Sequence, residues 1–396
     1  MKIKNFMSLA AALSLSVVLA SCGNDTANKE TKTNDNKAAV EEKVDETEKK
    51  DEDTKVDDTA DEAEEDKDTE EDDKTPSEDA VSVTMVTDFG GINDKSFNQS
   101  TYEGLQKADK DGTATFDYIE SHKEDDYVPN LESALDSESD IILTVGYALF
   151  PATDEAAEEN PEQNYVIIDN KNLNDRDNLL GVTFADHQNS FLVGYIAGMT
   201  SETNKVGFVG GQKSEVIDRF EYGYRAGVAQ ASKDKGEDID VIVQYANSYS
   251  DQSAGKNIAN KMYQDGADVI FHAAGGVGIG VIEAAKENDK WVIGVDRDQS
   301  DEAPDNMLVS TIKGVGEAVN SVIDEYAKGN FKAGDQEFTL ADGDAVTIAY
   351  PTTNDLVSKE TKDKVEEIRK DIVDGKIEVP ENEEEAIQQG SIKENK

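Results

Sequence analysis

Apolar residues recur along most of the chain with two different spacings, which alternate from one segment to the next. Short β-branched runs are typical of strands, whereas apolar residues three or four positions apart are typical of a helix that buries one face. Ile217, Phe220, Tyr224 and Val228, for example, predict one such helix. Strands are predicted at residues 81–86, 115–119, 141–145, 165–168, 181–184, 206–209, 241–244, 269–271, 292–295, 308–312 and 345–350. Strands that alternate with helices indicate mainly parallel sheets covered on both faces.

The predicted strands and helices form two successive series, followed by a short third part that leads the chain back toward the first. This arrangement predicts two α/β lobes. We expect one lobe to comprise residues 80–185 and 298–330, and the other 186–297 and 331–380. Several crossovers then join the lobes, and a ligand cleft is expected between the carboxyl ends of the strands. The acidic residues 381–396 are predicted to form a mobile tail.

Charge narrows the choice of partners. The 396 residues include 87 acidic and 39 basic side chains, with a formal net charge of −48. Such a field repels nucleic acid and anionic lipid headgroups, which argues against nucleic-acid binding. Residues 23–79 contain almost no large apolar side chains and predict a disordered acidic linker. The charge also suits a salt-adapted host, a hypothesis that stability measured against added salt tests.

Because Cys22 is the single cysteine, the chain can form neither an intramolecular disulfide nor a cysteine-based metal cluster. Lys2 and Lys4 precede an apolar stretch at residues 6–19, and small residues stand just before the thiol. Residues 1–22 therefore resemble a bacterial lipoprotein signal, which implies that Cys22 is lipidated. An ordinary cleaved signal with an incidental cysteine is the alternative. No later segment is apolar enough to cross a bilayer.

Polar and aromatic residues gather where the predicted strands end. Carboxylates there can accept hydrogen bonds from neighbouring hydroxyls while aromatic faces cover flat surface, which suits a neutral polyhydroxylated ligand. The glycine run at 275–280 departs from G-x-G-x-x-G and lacks a following Gly-Lys-Ser/Thr, so a tight turn at the cleft is favoured over a phosphate loop. His122, His187 and His272 offer no metal spacing, and no acid-base pair or cofactor motif indicates an enzyme.

Five stretches carry a resemblance to a known family. The first is Thr-Asp-Phe-Gly-Gly-Ile-Asn-Asp-Lys-Ser-Phe-Asn-Gln at 87–99, and the others lie at 190–198, 205–211 and 273–278, with Gly-Val-Asp at 294–296. In this order they resemble the BMP family of substrate-binding lipoproteins, nucleoside-binding components of ABC importers. The resemblance spans roughly residues 81–380. It implies a type I periplasmic-binding-protein fold of two Rossmann-like lobes with parallel sheets and a multi-strand hinge.

The resemblance also implies roles for single residues. Phe97 matches the aromatic ring that stacks on one face of a purine base, and Tyr249 is expected to supply the second ring, with Phe220 as the alternative. Polar contacts near the base and the hinge are matched by Asp88 and Asp169. The ribose hydroxyls are expected at Asp296 and Lys313. The remaining expected ligand residues are Asn93, Asn98 and Gly275. Asp94 is expected either to cap the following helix or to contact the ligand.

Together these observations predict a lipid-anchored monomer on the extracellular face of a bacterial membrane. It is expected to capture a purine nucleoside between its lobes and to deliver it to the permease and ATPase subunits of an ABC importer, without a cofactor and without enzymatic activity. The alternative is a sugar-binding, ligand-sensing or adhesive surface lipoprotein of the same fold that has no role in import.

Overall fold

The computed structural model describes residues 80–393. The predicted signal at 1–22, its Cys22 and the acidic linker at 23–79 lie outside the described residues. The described chain forms two six-stranded sheets. In each sheet the first strand lies between the second and the third, so the strand order reverses beside it. Such a reversal opens a crevice beyond the carboxyl ends of the strands, where open α/β sheets bind ligands.

The first sheet is parallel throughout and has the order β11-β5-β4-β3-β1-β2. Its strands are β1 (Val81–Thr87), β2 (Ala114–Ile119), β3 (Ile141–Val145), β4 (Asn164–Ile168), β5 (Leu179–Phe184) and β11 (Gly334–Phe338). Four helices cover it, namely α1 (Phe97–Lys110), α2 (Tyr127–Leu135), α3 (Phe150–Glu159) and α8 (Val315–Ala327). The central strands are buried on both faces, which explains their continuous apolar runs.

The second sheet has the order β12-β10-β9-β8-β6-β7, and only β12 runs antiparallel. Its strands are β6 (Lys205–Gly210), β7 (Asp240–Tyr245), β8 (Val269–Ala273), β9 (Trp291–Gly294), β10 (Met307–Lys313) and β12 (Val346–Ala349). The accompanying helices are α4 (Asp186–Thr200), α5 (Glu215–Lys235), α6 (Gln252–Gln264), α7 (Val277–Asn288), α9 (Lys359–Val373) and α10 (Glu383–Gln388). Helix α4 is buried around most of its circumference, as expected of a helix that is apolar on all sides.

Within residues 80–393 the chain crosses between the lobes three times, at residues 184–186, 313–315 and 338–346. The crossings are hydrogen-bonded side by side: Ala185 N donates to Phe338 O at 2.8 Å, and Gly314 N donates to Ala345 O at 2.8 Å. The predicted lobe boundaries were wrong in this part of the chain. Strand β10 belongs to the second sheet rather than the first, and β11 belongs to the first rather than the second, because parallel pairing with β9 and β5 decides their places.

Two further elements were not predicted. Strand β11 reads Gly-Asp-Gln-Glu-Phe, and as an edge strand it needs few apolar residues. Helix α10 forms within the predicted mobile tail, because the Asn382 side chain accepts from Glu385 N and Ala386 is fully buried. Within residues 80–393, no helix combines the length and the apolar character that crossing a membrane requires.

Candidate ligand-binding site

A cavity of about 400 Å³ lies between the lobes, at the carboxyl ends of both sheets. Sites for small ligands commonly measure roughly 300–1,000 Å³. All the ligand residues predicted from the sequence line the cavity except Asn93: Asp88, Phe97, Asn98, Asp169, Tyr249, Gly275, Asp296 and Lys313. Asn93 is exposed, whereas its neighbours Ile92 and Asp94 are buried. The loop thus turns Asp94 rather than Asn93 toward the cavity, and the prediction for Asn93 was wrong in this respect.

Asp88, Asp94 and Asn98 form a fixed polar group on the first lobe. Asn98 Nδ2 donates to Asp88 at 2.8 Å and to Asp94 at 3.2 Å. The Asp94 carboxylate also accepts from the backbone N–H groups of Ser96, Asn98 and Gln99, so it caps α1 while it lines the cavity. Burial raises the pKa of Asp94 to about 6 and raises that of Asp88 above its usual range, against the lowering effect of these hydrogen bonds.

Lys313 is the buried cation of the site. Its Nζ lies 2.7 Å from the Asp169 carboxylate and 3.1 Å from that of Asp186. The rings of Phe97, Phe184 and Phe220 surround the ammonium at 5.2, 5.2 and 5.4 Å from their centroids. Burial lowers the pKa of Lys313, but the neighbouring carboxylates outweigh it, so that its pKa is raised and the ammonium stays charged.

Asp186 was not predicted from the sequence. It is fully buried as the first residue of α4, where the chain crosses between the lobes. Burial raises its pKa to about 7 despite the attraction of Lys313. A buried Asp at a helix start resembles an ordinary cap in the sequence, so only the tertiary contact with Lys313 distinguishes it.

Asp169 and Asp296 occupy matching positions, just beyond the fourth strand of each sheet. Both have a left-handed backbone, with φ of 70° and 67°, a conformation that Asp tolerates better than most residues. The Ser96 hydroxyl, which lies on the first lobe, donates to the Asp296 carboxylate on the second lobe. Burial raises the pKa of Asp296 to about 6, although Lys313 and Ser96 both favour its ionised form.

Aromatic rings line the cavity from both lobes. Phe97 is half-buried on the first lobe and Tyr249 on the second, while Phe220 is only 3% exposed and also packs against Phe271. Phe89, missed from the sequence, lies 6.2 Å from Tyr249 between ring centroids. Further lining residues, outside the set of expected ligand residues, are Tyr147, Phe150, Gln212, Lys213 and Ser214. In the sequence, only their position could have identified these residues, because they follow the ends of β1, β3 and β6.

Packing explains two of the four glycines in the run at 275–280. A Cβ at Gly278 would lie 2.2 Å from the His272 ring, and one at Gly280 would lie 1.9 Å from Gln252 O. These two glycines therefore let α7 approach β8 and α6 closely. Gly275 has φ +53° and lines the cavity. His272 is fully buried, which lowers its pKa to about 4. In the described part of the chain, no cluster of histidines and carboxylates is arranged to hold a metal ion.

With this geometry established, comparison with known proteins identifies the family. Residues 81–383 match the family described as ABC transporter substrate-binding protein PnrA-like, the Bmp family. The chain belongs to this family. The resemblance predicted from the sequence is thereby confirmed.

Named relatives are similar over most of their length. The CD4+ T-cell-stimulating antigen of Listeria innocua is 44% identical over 321 residues, 76% of this chain and 88% of that protein. The ABC transporter nucleoside-binding protein BmpA of Lactococcus lactis subsp. cremoris is 41% identical over 323 residues, 76% of this chain and 89% of that protein. Basic membrane protein A of Borreliella burgdorferi is 38% identical over 308 residues, with 76% and 88% covered.

Solved structures support the fold. A solute-binding protein of an ABC transporter system from Aeropyrum pernix K1 superposes with a TM-score of 0.72 at 24% identity, over 78% of this chain and 97% of that one. The two-lobed periplasmic-binding-protein fold predicted from the sequence is thus confirmed. The family consists of substrate-binding components of ABC transporters rather than enzymes, and such proteins work on the outer side of the membrane.

Proposed function

We propose that the protein binds a purine nucleoside in the cavity and delivers it to an ABC importer. One observation carries the proposal: aromatic rings, carboxylates and a buried lysine from both lobes line the same cavity. A purine presents two flat faces for stacking, and a ribose presents neighbouring hydroxyls for a carboxylate and an ammonium.

The base is proposed to lie against Phe97, with Tyr249 as the ring from the second lobe and Phe220 as the alternative. Stacking on an aromatic side chain contributes about 1–3 kcal/mol per base, so two rings account for much of a nucleoside's affinity. The Asp88 carboxylate and Asn98 Oδ1, which accepts no hydrogen bond from the described residues, lie on the same lobe as Phe97, and as acceptors they suit the N–H groups of a base.

The sugar is proposed to lie at Asp296, Lys313 and Asp169. A carboxylate that accepts two ribose hydroxyls leaves an acceptor unpaired when one hydroxyl is missing, which disfavours deoxynucleosides. Phosphorylated nucleosides are disfavoured because the acidic side chains that line the cavity outnumber its two lysines, Lys213 and Lys313, and so repel a phosphate. The ligand is therefore proposed to be uncharged.

Delivery is supported by the family and by the sequence of residues 1–79. We propose a monomer whose lipidated Cys22 and acidic linker at 23–79 hold residues 80–393 near the permease on the extracellular face. Closure of the lobes around the ligand is proposed as the signal that the permease recognises.

Calorimetry on protein stripped of co-purified ligand tests the proposal. Adenosine, guanosine and inosine are titrated in parallel with ribose, 2′-deoxyadenosine and adenosine 5′-monophosphate. We expect heat with at least one ribonucleoside, weaker heat with the deoxynucleoside and none with the nucleotide. Heat with ribose alone would favour a sugar-binding protein, and no heat with any nucleoside would refute the proposal. Free base appearing during incubation would reveal an enzyme.

A further inference from the structure

The lobes touch directly beside the cavity, as well as through the hinge. Gln299 Nε2, on the second lobe, donates to Lys95 O of the β1–α1 loop at 2.9 Å. The Ser96 hydroxyl donates to Asp296, as described above. We call Lys95, Ser96, Asp296 and Gln299 the closing contact. Of these four residues only Asp296 lines the cavity.

The Ser96 hydroxyl does not cap the helix that it precedes. Ser96 stands at the N-cap of α1, yet its side chain makes no hydrogen bond to that helix. At the N-caps of α5 and α9, by contrast, Ser214 and Ser358 accept from backbone N–H groups of their own helices. Asp94 caps α1 in place of Ser96. The Ser96 hydroxyl is thereby free to reach across to the other lobe, fully buried as it does so.

Gln299 is held so that its amide can point only one way. Its Oε1 accepts from Val295 N at 2.9 Å, which leaves Nε2 as the group that faces Lys95. The side chain is 2% exposed, so Nε2 would be a buried donor without an acceptor if the first lobe moved away and no water entered. Lys95 itself has φ 59°, a costly conformation for a non-glycine residue that this contact helps to hold.

We propose that Ser96 and Gln299 are positioning residues that complete the binding site only when the lobes close. In the closed form, Ser96 fixes one oxygen of Asp296 and leaves the other for the ligand, while Gln299 holds the loop that carries Ser96. Ligand binding and closure are then coupled through one carboxylate, which the ligand and the opposite lobe both contact. The identity of the ligand as a nucleoside rests on the proposed function above, whereas the coupling itself does not.

The decisive variant is Ser96→Ala, with Ser358→Ala as its matched control. Both remove a serine hydroxyl at a helix N-cap, but Ser358 is exposed, far along the chain from the cavity-lining residues, and caps α9. We expect Ser96→Ala to weaken ligand binding roughly 10- to 100-fold, as the loss of a hydrogen bond to a charged group does, with unfolding by urea little changed. Ser358→Ala should show the reverse, a lower urea midpoint with affinity unchanged. Ser96→Thr keeps the hydroxyl and should recover most of the affinity.

Small-angle X-ray scattering supplies a readout that a merely structural role would not move. At a ligand concentration that saturates both proteins, wild-type protein should become more compact, and Ser96→Ala protein should compact less. Affinity of Ser96→Ala within twofold of wild type, or a loss of stability as large as that of Ser358→Ala, would overturn the proposal.

The experiment separates failure of this inference from failure of the proposed function. Wild-type titrations decide which ligand binds, and the ratio of variant to wild type is measured with that ligand, whether nucleoside or ribose. If none of them binds, hydrogen exchange on unliganded Gln299→Leu protein decides instead, because the open and closed forms interconvert without ligand and the closing contact protects its loop in the closed fraction. Exchange at residues 95–99 should rise while residues 363–373 in α9 remain protected as in wild type. Equal change in both segments, or in neither, would contradict the closing contact.

Discussion

The two lobes share a strand order but differ in how the helix after their first strand begins. Helix α5 is capped by its own Ser214, in the ordinary manner. Helix α1 is capped by Asp94 from the preceding loop, and its Ser96 contacts the other lobe. The same topology therefore supports a self-contained loop in one lobe and a loop committed to the cleft in the other. Function in this fold depends on where loop side chains are directed rather than on the sheet.

The matching aspartates extend the comparison. Asp169 and Asp296 have the same place, the same backbone region and similar burial, at 6% and 7% exposed. Their partners differ: Asp169 pairs with Lys313 from the second lobe, and Asp296 accepts from Ser96 of the first. Each aspartate thus takes its partner from the opposite lobe, so that closure brings both pairs together.

The largest effect is expected from Lys313→Ala, which leaves Asp169 and Asp186 as buried carboxylates without their cation. Removing one partner of a buried ion pair costs about 3–5 kcal/mol, so the free energy of unfolding should fall by that order, and ligand binding should be lost. Urea denaturation and calorimetry measure the two effects. Lys359→Ala, in an exposed pair with Asp363, is the control and should leave both unchanged. A stable, ligand-binding Lys313→Ala protein would show that the buried charges are not coupled.

The aromatic residues of the two lobes should respond differently to truncation. Phe97 is half-buried, so Phe97→Ala should lose affinity by about 1–3 kcal/mol of stacking with a small change in stability. Phe220 is buried against Phe271, so Phe220→Ala should lose about 3–5 kcal/mol of stability as well as affinity. Calorimetry and urea denaturation on both variants separate the effects. Equal stability losses would remove this difference between the lobes.

A smaller effect is expected from pH. Burial raises the pKa of Asp296 to about 6, and the ligand is proposed to need its ionised form. Affinity should therefore be constant above pH 7 and fall as the pH drops through 6, by roughly tenfold at pH 5. Charged groups that face this carboxyl are Lys313 at the end of β10, Asp94 in the β1–α1 loop and Asp169 beyond β4.

Asp296→Asn separates the titration of Asp296 from that of Asp94, whose pKa is also about 6. The variant should bind weakly at every pH, with a shallower dependence on pH than wild type. Titrations between pH 5 and 8, with circular dichroism to check folding, make the comparison. An affinity that rises on acidification would contradict the assignment of Asp296 as an ionised acceptor.

The smallest effect is expected from salt. Two exposed ion pairs also cross between the lobes, Lys95 with Glu302 at 3.9 Å and Arg297 with Glu103 at 3.7 Å. Because exposed pairs are weak and screened, raising NaCl from 0.1 to 1 M should change affinity by about twofold or less. A much larger loss would place the energy of closure in these surface pairs rather than in the buried closing contact.

The candidate site was predictable where residue type and strand position agreed. The end of a strand is visible in the sequence, and Asp88 and Asp296 each follow one, while the roles of these two residues and of Phe97 came from the family resemblance. The prediction that Asn93 lines the cavity was wrong, because the direction of a side chain within a loop depends on local backbone turns. Asp186, Ser96 and Gln299 were missed because their partners lie more than 100 residues away along the chain.

The sequence by itself determined the alternation of strands and helices, the two lobes, the family and eight of the residues that line the cavity, because these follow from local periodicity and from motifs. Only the tertiary structure decided that β10 belongs to the second lobe and β11 to the first. It also decided that residues 383–388 fold onto the second lobe and that the Ser96 hydroxyl bridges the cleft. Strand pairing at a sheet edge and hydrogen bonds between distant loops depend on contacts that no local pattern encodes.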